Sequence, residues 1–326
     1  MNPSAPRASR FAGSFRVVMR DYPLVPLIVL LIGLVVALEI MVPGIVNQRW
    51  LANTIKFAVP LAMLAACQSL TMLTGGIDLS VGVAATVSAF VAASQLSVLG
   101  PTGAILVALI PPVLIGLANG IGVGLFRVHP LIMTLGTGLI GTGCLQVYQR
   151  TVIASGSSVP DILSWLGTGL SYGVPNSLLV FLPLAILIIV GLRRTGFGRL
   201  LYAIGENENA ARLAGVRTWQ VLMALYILSG LIAGLTGLIY LGLIKAPSLS
   251  LVEPRVLPSV AAAVIGGTSI FGGRGSYSGT IIGALILTVL ATMLTVMQIP
   301  EGTRRIFFGM IILVVTAIYV RITEES

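Results

Sequence analysis

Few side chains in this sequence are of a type that does chemistry, and none is arranged for a reaction. Lys56 is followed by Phe57 and Lys245 by Ala246, whereas a phosphate-cradling loop needs its lysine directly before Ser or Thr. The sequence has no zinc-type HExxH and no close carboxylate pair in its apolar stretches, so metal-assisted hydrolysis and acid–base chemistry lack their parts. His129 is the single histidine, and Cys67 and Cys144 sit inside apolar runs without CxxC spacing. Both cysteines read as packing residues. Neither an enzyme nor a metal site is expected, and no cofactor. An ion-coupled carrier would place acidic or basic relays within its spans. Only Glu39 and Asp78 lie in or at the edge of an apolar run, and neither has an obvious basic partner.

Three features remain. The first is the glycine-rich break GGIDLSVG at 75–82, where Gly75 and Gly76 would fray a helix and Asp78 and Ser80 offer acceptors for the amides of the next one. It reads as a tight turn with a cap, or as irregular backbone lining a cavity, since such backbone survives at membrane depth only against protein or water. Asp78 is accordingly expected near the inner interface or facing water. The second is the polar stretch RRTGFGRLLYAIGENENAARLAGVRT at 193–218, in which Glu206–Leu213 reads as a short helix with acidic residues early, Arg212 late and Gly215 as its stop. It suits an ordinary solvated helix or, given its small residues Ala210 and Ala211, the docking of another protein. The third is a set of uncharged polar residues within apolar runs, Asn53, Gln68, Asn119, Thr134, Thr137 and Gln146. These suit contact with a hydroxyl-rich solute, or helix-to-helix hydrogen bonding.

The elements that must position these residues follow from composition. The chain is 56% hydrophobic and 9% charged, far below the roughly 25% charge of a soluble domain, so its solvent is largely lipid. The net charge of +9 forms no dense cluster, which argues against nucleic acid. Apolar runs recur at about 23–42, 54–73, 81–99, 102–125, 130–148, 177–192, 219–243, 257–272, 279–298 and 306–320. An all-α, polytopic bundle of about ten spans is expected, with glycine-broken or re-entrant segments near 75–82 and 266–275, the eighth run being the weakest because its end is glycine-rich. With both termini inside, twelve arginines fall inside and seven basic residues outside, the bias that the positive-inside rule asks for. Residues 1–22 then form a cytoplasmic segment, 23–321 one membrane domain with its cytoplasmic loop at 193–218, and 322–326 a tail. The first run is too long for a secretory signal and reads as a retained helix. An amphipathic piece at the interface is expected around Ile162–Leu166. GGTSIFGGRG at 266–275 loosely echoes the first break, as repeated transporter halves do.

Together these stretches resemble the ribose-type permeases of bacterial ABC importers from about residue 50 to 320. The resemblance rests on GGIDLSVG, on LANGIGVGLFRVHPLIMTLGT at 117–137, on GRLLYAIGENENAARLAGV at 198–216 and on AAVIGGTSIFGGRGSYSGTIIGA at 262–284. It implies a ten-span subunit of the inner membrane, paired with a second permease and surrounded by membrane lipid. It further implies a periplasmic sugar-binding protein outside and an ATP-binding subunit inside, which would hold the ATP and Mg. Gly205, Glu206, Asn207, Asn209, Ala210, Ala211, Arg212, Leu213 and Gly215 match the family's coupling helix. The pathway is expected along Gly75, Gly76, Asp78, Ser80 and Gly82, along Gly266, Gly267, Gly272 and Gly273, and beside Asn119, Thr134 and Thr137. The sequence departs from the family at Glu206, where a glycine is common, and at IPEGTRRIFFG, 299–309. The related branched-chain amino-acid permeases generally lack an intact GGIDLSVG, so a monosaccharide is the expected solute, with an amino acid or nucleoside as the alternative.

Overall fold

A computed structural model describes residues 24–152 and 158–300, together with 302–304, 306, 307, 309, 310 and 313. The expected N-terminal segment, most of the tenth run and the C-terminal tail lie outside the described residues. The helices are α1 (Leu24–Met41), α2 (Gln48–Met72), α3 (Val81–Ala108), α4 (Ile110–Gly124), α5 (Pro130–Val152), α6 (Asp161–Thr168), α7 (Leu178–Arg194), α8 (Gly196–Leu213), α9 (Thr218–Ile244), α10 (Val256–Ile265) and α11 (Tyr277–Val296). The helical reading holds, with one small addition. Strands Leu170–Ser171 and Val174–Pro175 pair antiparallel around Tyr172 and Gly173, both at positive φ, as a two-residue hairpin requires. α6 falls where the amphipathic piece is expected, with Leu163 buried and Ile162 and Trp165 exposed.

Among the described residues, six helical stretches are long and apolar enough to cross a membrane, or seven if the bent pair α7 and α8 forms one span. One of the six, 81–124, is folded back on itself. A continuous helix would hold Ser80 and Asn119 roughly 58 Å apart at ~1.5 Å per residue, yet Asn119 Nδ2 donates to Ser80 Oγ at 2.8 Å. The chain reverses at Gly100 (φ 67°, ψ 175°) before Pro101, so the runs 81–99 and 102–125 are two antiparallel legs, as their separation in the sequence suggests.

The expected span 257–272 is corrected. Its helix α10 has ten residues, about 15 Å, half of a ~30 Å hydrocarbon core. The backbone from 266 to 276 is not helical. α2 and α10 stop by the same cap. Gly75 N donates to Met72 O at 2.9 Å and Gly76 N to Thr71 O at 3.1 Å, while Gly267 N donates to Val264 O and Thr268 N to Ala263 O, both at 2.9 Å. This is the Schellman pattern, which needs a left-handed residue, supplied by Gly75 (φ 75°) and Gly267 (φ 87°). The echo between the two motifs therefore aligns Gly75 with Gly267, one position later than the paired glycines suggest.

α9 is the hub, packed against α2, α3, α4 and α6. Lipid tails are as apolar as leucine, so helix association here relies on close packing, which small residues permit. A Cβ on Gly230 would overlap the Pro112 carbonyl, one on Gly116 the Tyr226 carbonyl, and one on Gly237 the Ala85 carbonyl. α5 is different. Most of its length is uncovered, Leu135, Leu139, Ile140 and Val147 are exposed, and Cys144 is exposed rather than packed as expected. Gly230→Val should force α4 off α9 and cost about 1–3 kcal/mol, read as a lower melting temperature in detergent. Gly136→Val, with no atom within 4 Å of its added Cβ, should leave that temperature unchanged.

Candidate functional site

The break between α2 and α3 takes the backbone of residues 77–79 out of the helical ladder. Gln68 on α2 and Thr134 on α5 bond it directly, while Asn119 on α4 and Ser229 on α9 hold the side chains of Ser80 and Asp78. Gln68 on α2 donates from Nε2 to Asp78 O at 2.8 Å and accepts from Asp78 N at 3.3 Å. Thr134 on α5 donates to Ile77 O and accepts from Leu79 N, both at 3.1 Å. Asp78 Oδ1 accepts from Ser80 N at 3.0 Å and Ser80 Oγ at 2.6 Å, and Oδ2 accepts from Ser229 Oγ on α9 at 2.9 Å. Asn119 on α4 donates to Ser80 Oγ and accepts from Thr137 at 2.6 Å.

Asp78 is 1% exposed, Ser80 1%, and Gln68, Asn119 and Thr134 0%. Asp78 is thus neither at an interface nor facing water. Ser229 stands near the middle of the 27-residue α9, and the carboxylate is buried there in protein, held by hydrogen bonds alone. Of the uncharged polar residues singled out in the apolar runs, Gln68, Asn119, Thr134 and Thr137 meet in this one network. Asn53 and Gln146 are exposed and outside it. Glu39 finds its partners in the turn after α1, accepting from Gly44 N at 2.7 Å and Val46 N at 2.9 Å.

The two breaks touch each other and the polar stretch at one point. Gly273 N donates to Leu73 O at 3.0 Å, and Ser69 Oγ lies 3.2 Å from Thr268 Oγ1. Gly205 on α8 is wedged between them, and a Cβ there would overlap both the Leu73 carbonyl and the Gly273 amide. A Cβ on Gly272 would stand 2.9 Å from Gly205 O and 3.0 Å from Gly75 N, and one on Gly273 3.0 Å from the Glu206 side chain. Tyr202 Oη donates to Gly275 O at 2.9 Å. Glycine at 205, 272 and 273 is what lets three backbone segments meet without side chains between them. Gly266 serves a different contact, since a Cβ there would overlap Thr280 N at the start of α11.

Past the junction α8 kinks at Asn207 (φ −162°, ψ 101°). Asn207 Oδ1 accepts from Ala210 N at 2.9 Å, so Asn207 is an N-cap and the terminal segment is Glu208–Leu213, shorter by two residues than the sequence suggests. It ends at Gly215 (φ 87°), as expected. Ala211 is buried against this chain, whereas Asn209, Ala210 and Arg212 are exposed and Leu213 is 91% exposed. Glu208 pairs with Arg127 and, at 3.1 Å, with Arg212. Partial burial works to raise the Glu208 carboxyl, but hydrogen bonds from Arg127, Thr218 and Arg212 and the Arg127 charge outweigh it and hold the group below its usual value. The pair therefore stabilises the segment at neutral pH and is lost as pH falls through that lowered value.

Asp78→Leu should orphan the Ser80 and Ser229 hydroxyls at a cost of roughly 1–3 kcal/mol. Asp78→Asn keeps a carbonyl for Ser80 and should lose less. Thermal unfolding of the two variants in detergent reads the difference.

The sequence pattern of the family described as branched-chain amino acid transport system / permease component matches residues 50–316. The ribose import permease protein RbsC of Bacillus subtilis is 31% identical over 282 residues, 86% of this chain and 88% of that protein. The fructose import permease protein FrcC of Rhizobium meliloti is 33% identical over 303 residues, 90% of this chain and 84% of that protein. The galactofuranose transporter permease protein YtfT of Escherichia coli K12 is 34% identical over 260 residues, 79% of this chain and 76% of that protein. No solved structure matches the chain. The two helix breaks and the junction on α8 all fall within the matched residues, and the chain belongs to this family of membrane transport permease components.

Proposed function

We propose that the chain is the permease subunit of an ATP-binding cassette importer of the bacterial inner membrane, carrying a monosaccharide handed over by a periplasmic binding protein. The observation that carries this reading is the junction at Gly205. The segment ending in Leu213 begins three residues after Gly205, which packs directly on the backbone at Leu73 and Gly273, so a push on its free face is delivered next to both helix breaks. Leu213, almost fully bare on a polar segment, is the kind of apolar side chain that a partner pocket takes up. The partner is an ATP-binding subunit, which holds ATP and Mg. In this reading the chain forms one membrane domain with both termini inside, α10 contributing a half-helix rather than a full span. A second permease, a copy or a different chain, completes the path. The glycine-broken segments are then the moving walls of that path, with Asp78, Ser80, Asn119, Thr134 and Thr137 holding the first of them in shape.

A sugar is supported by the ribose, fructose and galactofuranose names of the relatives. The family's description favours a branched-chain amino acid as the second reading, and uptake of labelled sugars against labelled leucine in the assembled transporter separates the two.

Leu213→Glu should leave the protein in the membrane and lower ATP-driven uptake at least about ten-fold, since burying an unpaired charge in the partner costs more than 1.4 kcal/mol. Ala211→Glu is a poorer probe, because that side chain would enter the permease itself. Gly205→Val should abolish uptake while the ATP-binding subunit still copurifies. Wild-type uptake by both Leu213→Glu and Gly205→Val would sink the coupling assignment.

A further inference from the structure

The chain after α9 does not stay at the end of the bundle. Lys245 caps α9, yet by residue 253 the backbone has returned to the start of α3. The Glu253 Cα lies 3.4 Å from where a Gly82 Cβ would stand, and Val256 Cγ2 lies 2.5 Å from it. Gly82 is one helical turn before Ala85, which packs on Gly237, so Glu253 stands about halfway along α9 rather than in an outer loop. Insertion scales assign a carboxylate at that depth roughly 2.5–3.5 kcal/mol, and intramembrane carboxylates face cavities or partners. No cation pairs with Glu253 among the described residues, and its side chain is exposed. It opens into a cavity of about 240 Å³ bordered by Gly82, Thr86, Gly138, Thr142 and Val256.

The polar groups of this cavity all accept. Thr86 donates its own proton to Gly82 O at 2.8 Å, and Thr142 donates to Gly138 O at 2.9 Å. The exposed Thr142 hydroxyl oxygen therefore presents lone pairs to the cavity, whereas Thr86, 1% exposed, lies behind its wall. With the Glu253 carboxylate, Thr142 makes a set of acceptors on apolar walls, the arrangement that orients a small ligand. A ligand that fits supplies several hydrogen-bond donors and an apolar ring face. The volume lies below the ~300–1,000 Å³ of drug-sized pockets, the scale of a single ring.

Resting on the permease reading above, we infer that Glu253 and Thr142 form a mid-depth binding step for a neutral polyhydroxylated ring, with Glu253 accepting from one ring hydroxyl. The test is ATP-driven uptake by the assembled transporter of a panel of labelled pentoses and hexoses, each with its mono-deoxy analogues. Glu253→Ala should lower uptake of the transported sugar at least about ten-fold, and of the deoxy analogue lacking the partner hydroxyl less than about two-fold, as expected when a bound ligand's hydroxyl loses the acceptor it donates to. Thr142→Val, which keeps shape and loses the acceptor, should give the same pattern at a second hydroxyl and serves if Glu253→Ala does not accumulate. Equal losses for every sugar and analogue, or no loss, would overturn the inference. If the wild-type transporter carries no sugar but does carry leucine, it is the monosaccharide reading that fails, and the cavity assignment falls with it.

Discussion

Two helices break inside this bundle, and the backbone that leaves their ladders needs partners from the protein itself. Each unsatisfied amide or carbonyl in hydrocarbon costs several kcal/mol, so the structure around the breaks is arranged to satisfy them. At the first break the work falls on Gln68, Thr134 and Asp78, whose polar atoms replace the missing helical partners one for one. At the second it falls on short turns and on Leu73, whose carbonyl accepts from Gly273. The two breaks are therefore joined directly, through Gly273 N to Leu73 O and through Ser69 to Thr268.

That link gives the Gly205 contact its meaning. α8 reaches the breaks through backbone rather than side chains, which makes the contact stiff. Flexible side chains absorb small shifts by changing rotamer, whereas carbonyl and amide groups in van der Waals contact transmit them. The ion pairs of Glu208 with Arg127 and Arg212 are exposed and individually weak, so they align the terminal segment with the end of α4 without locking it. A stiff end at Gly205 and a bare end at Leu213 are what a lever needs.

Much of this was legible in the sequence because lipid is a demanding solvent. Apolar runs mark the helices, GGIDLSVG marks a break, and Gly215 marks the stop of the polar helix, whereas its start two residues later, after the Asn207 cap, appears only in the fold. The rest depends on contacts between distant segments. The run 257–272 stays apolar to Ile265 and beyond, so only the left-handed cap at Gly267 distinguishes a half-helix from a span. Gln68 and Asn119 suit a solute or a neighbouring helix equally well until the partners are known, and Asp78 is reached by Ser229 from 151 residues away. Glu253 escaped notice because a Glu-Pro-Arg triplet between two spans reads as an outer loop. Its return to Gly82 is a tertiary fact, hinted at only by the shortness of the apolar run that follows.

The central claim is that the junction at Gly205 connects the partner-facing segment to the membrane path. The distance between spin labels at Thr142 and Leu249, across the cavity that holds Glu253, tests it most directly in the assembled transporter with and without ATP. The account predicts that ATP shifts the distance distribution in the wild type and that Gly205→Val abolishes the shift. A shift of the same size in Gly205→Val would contradict it.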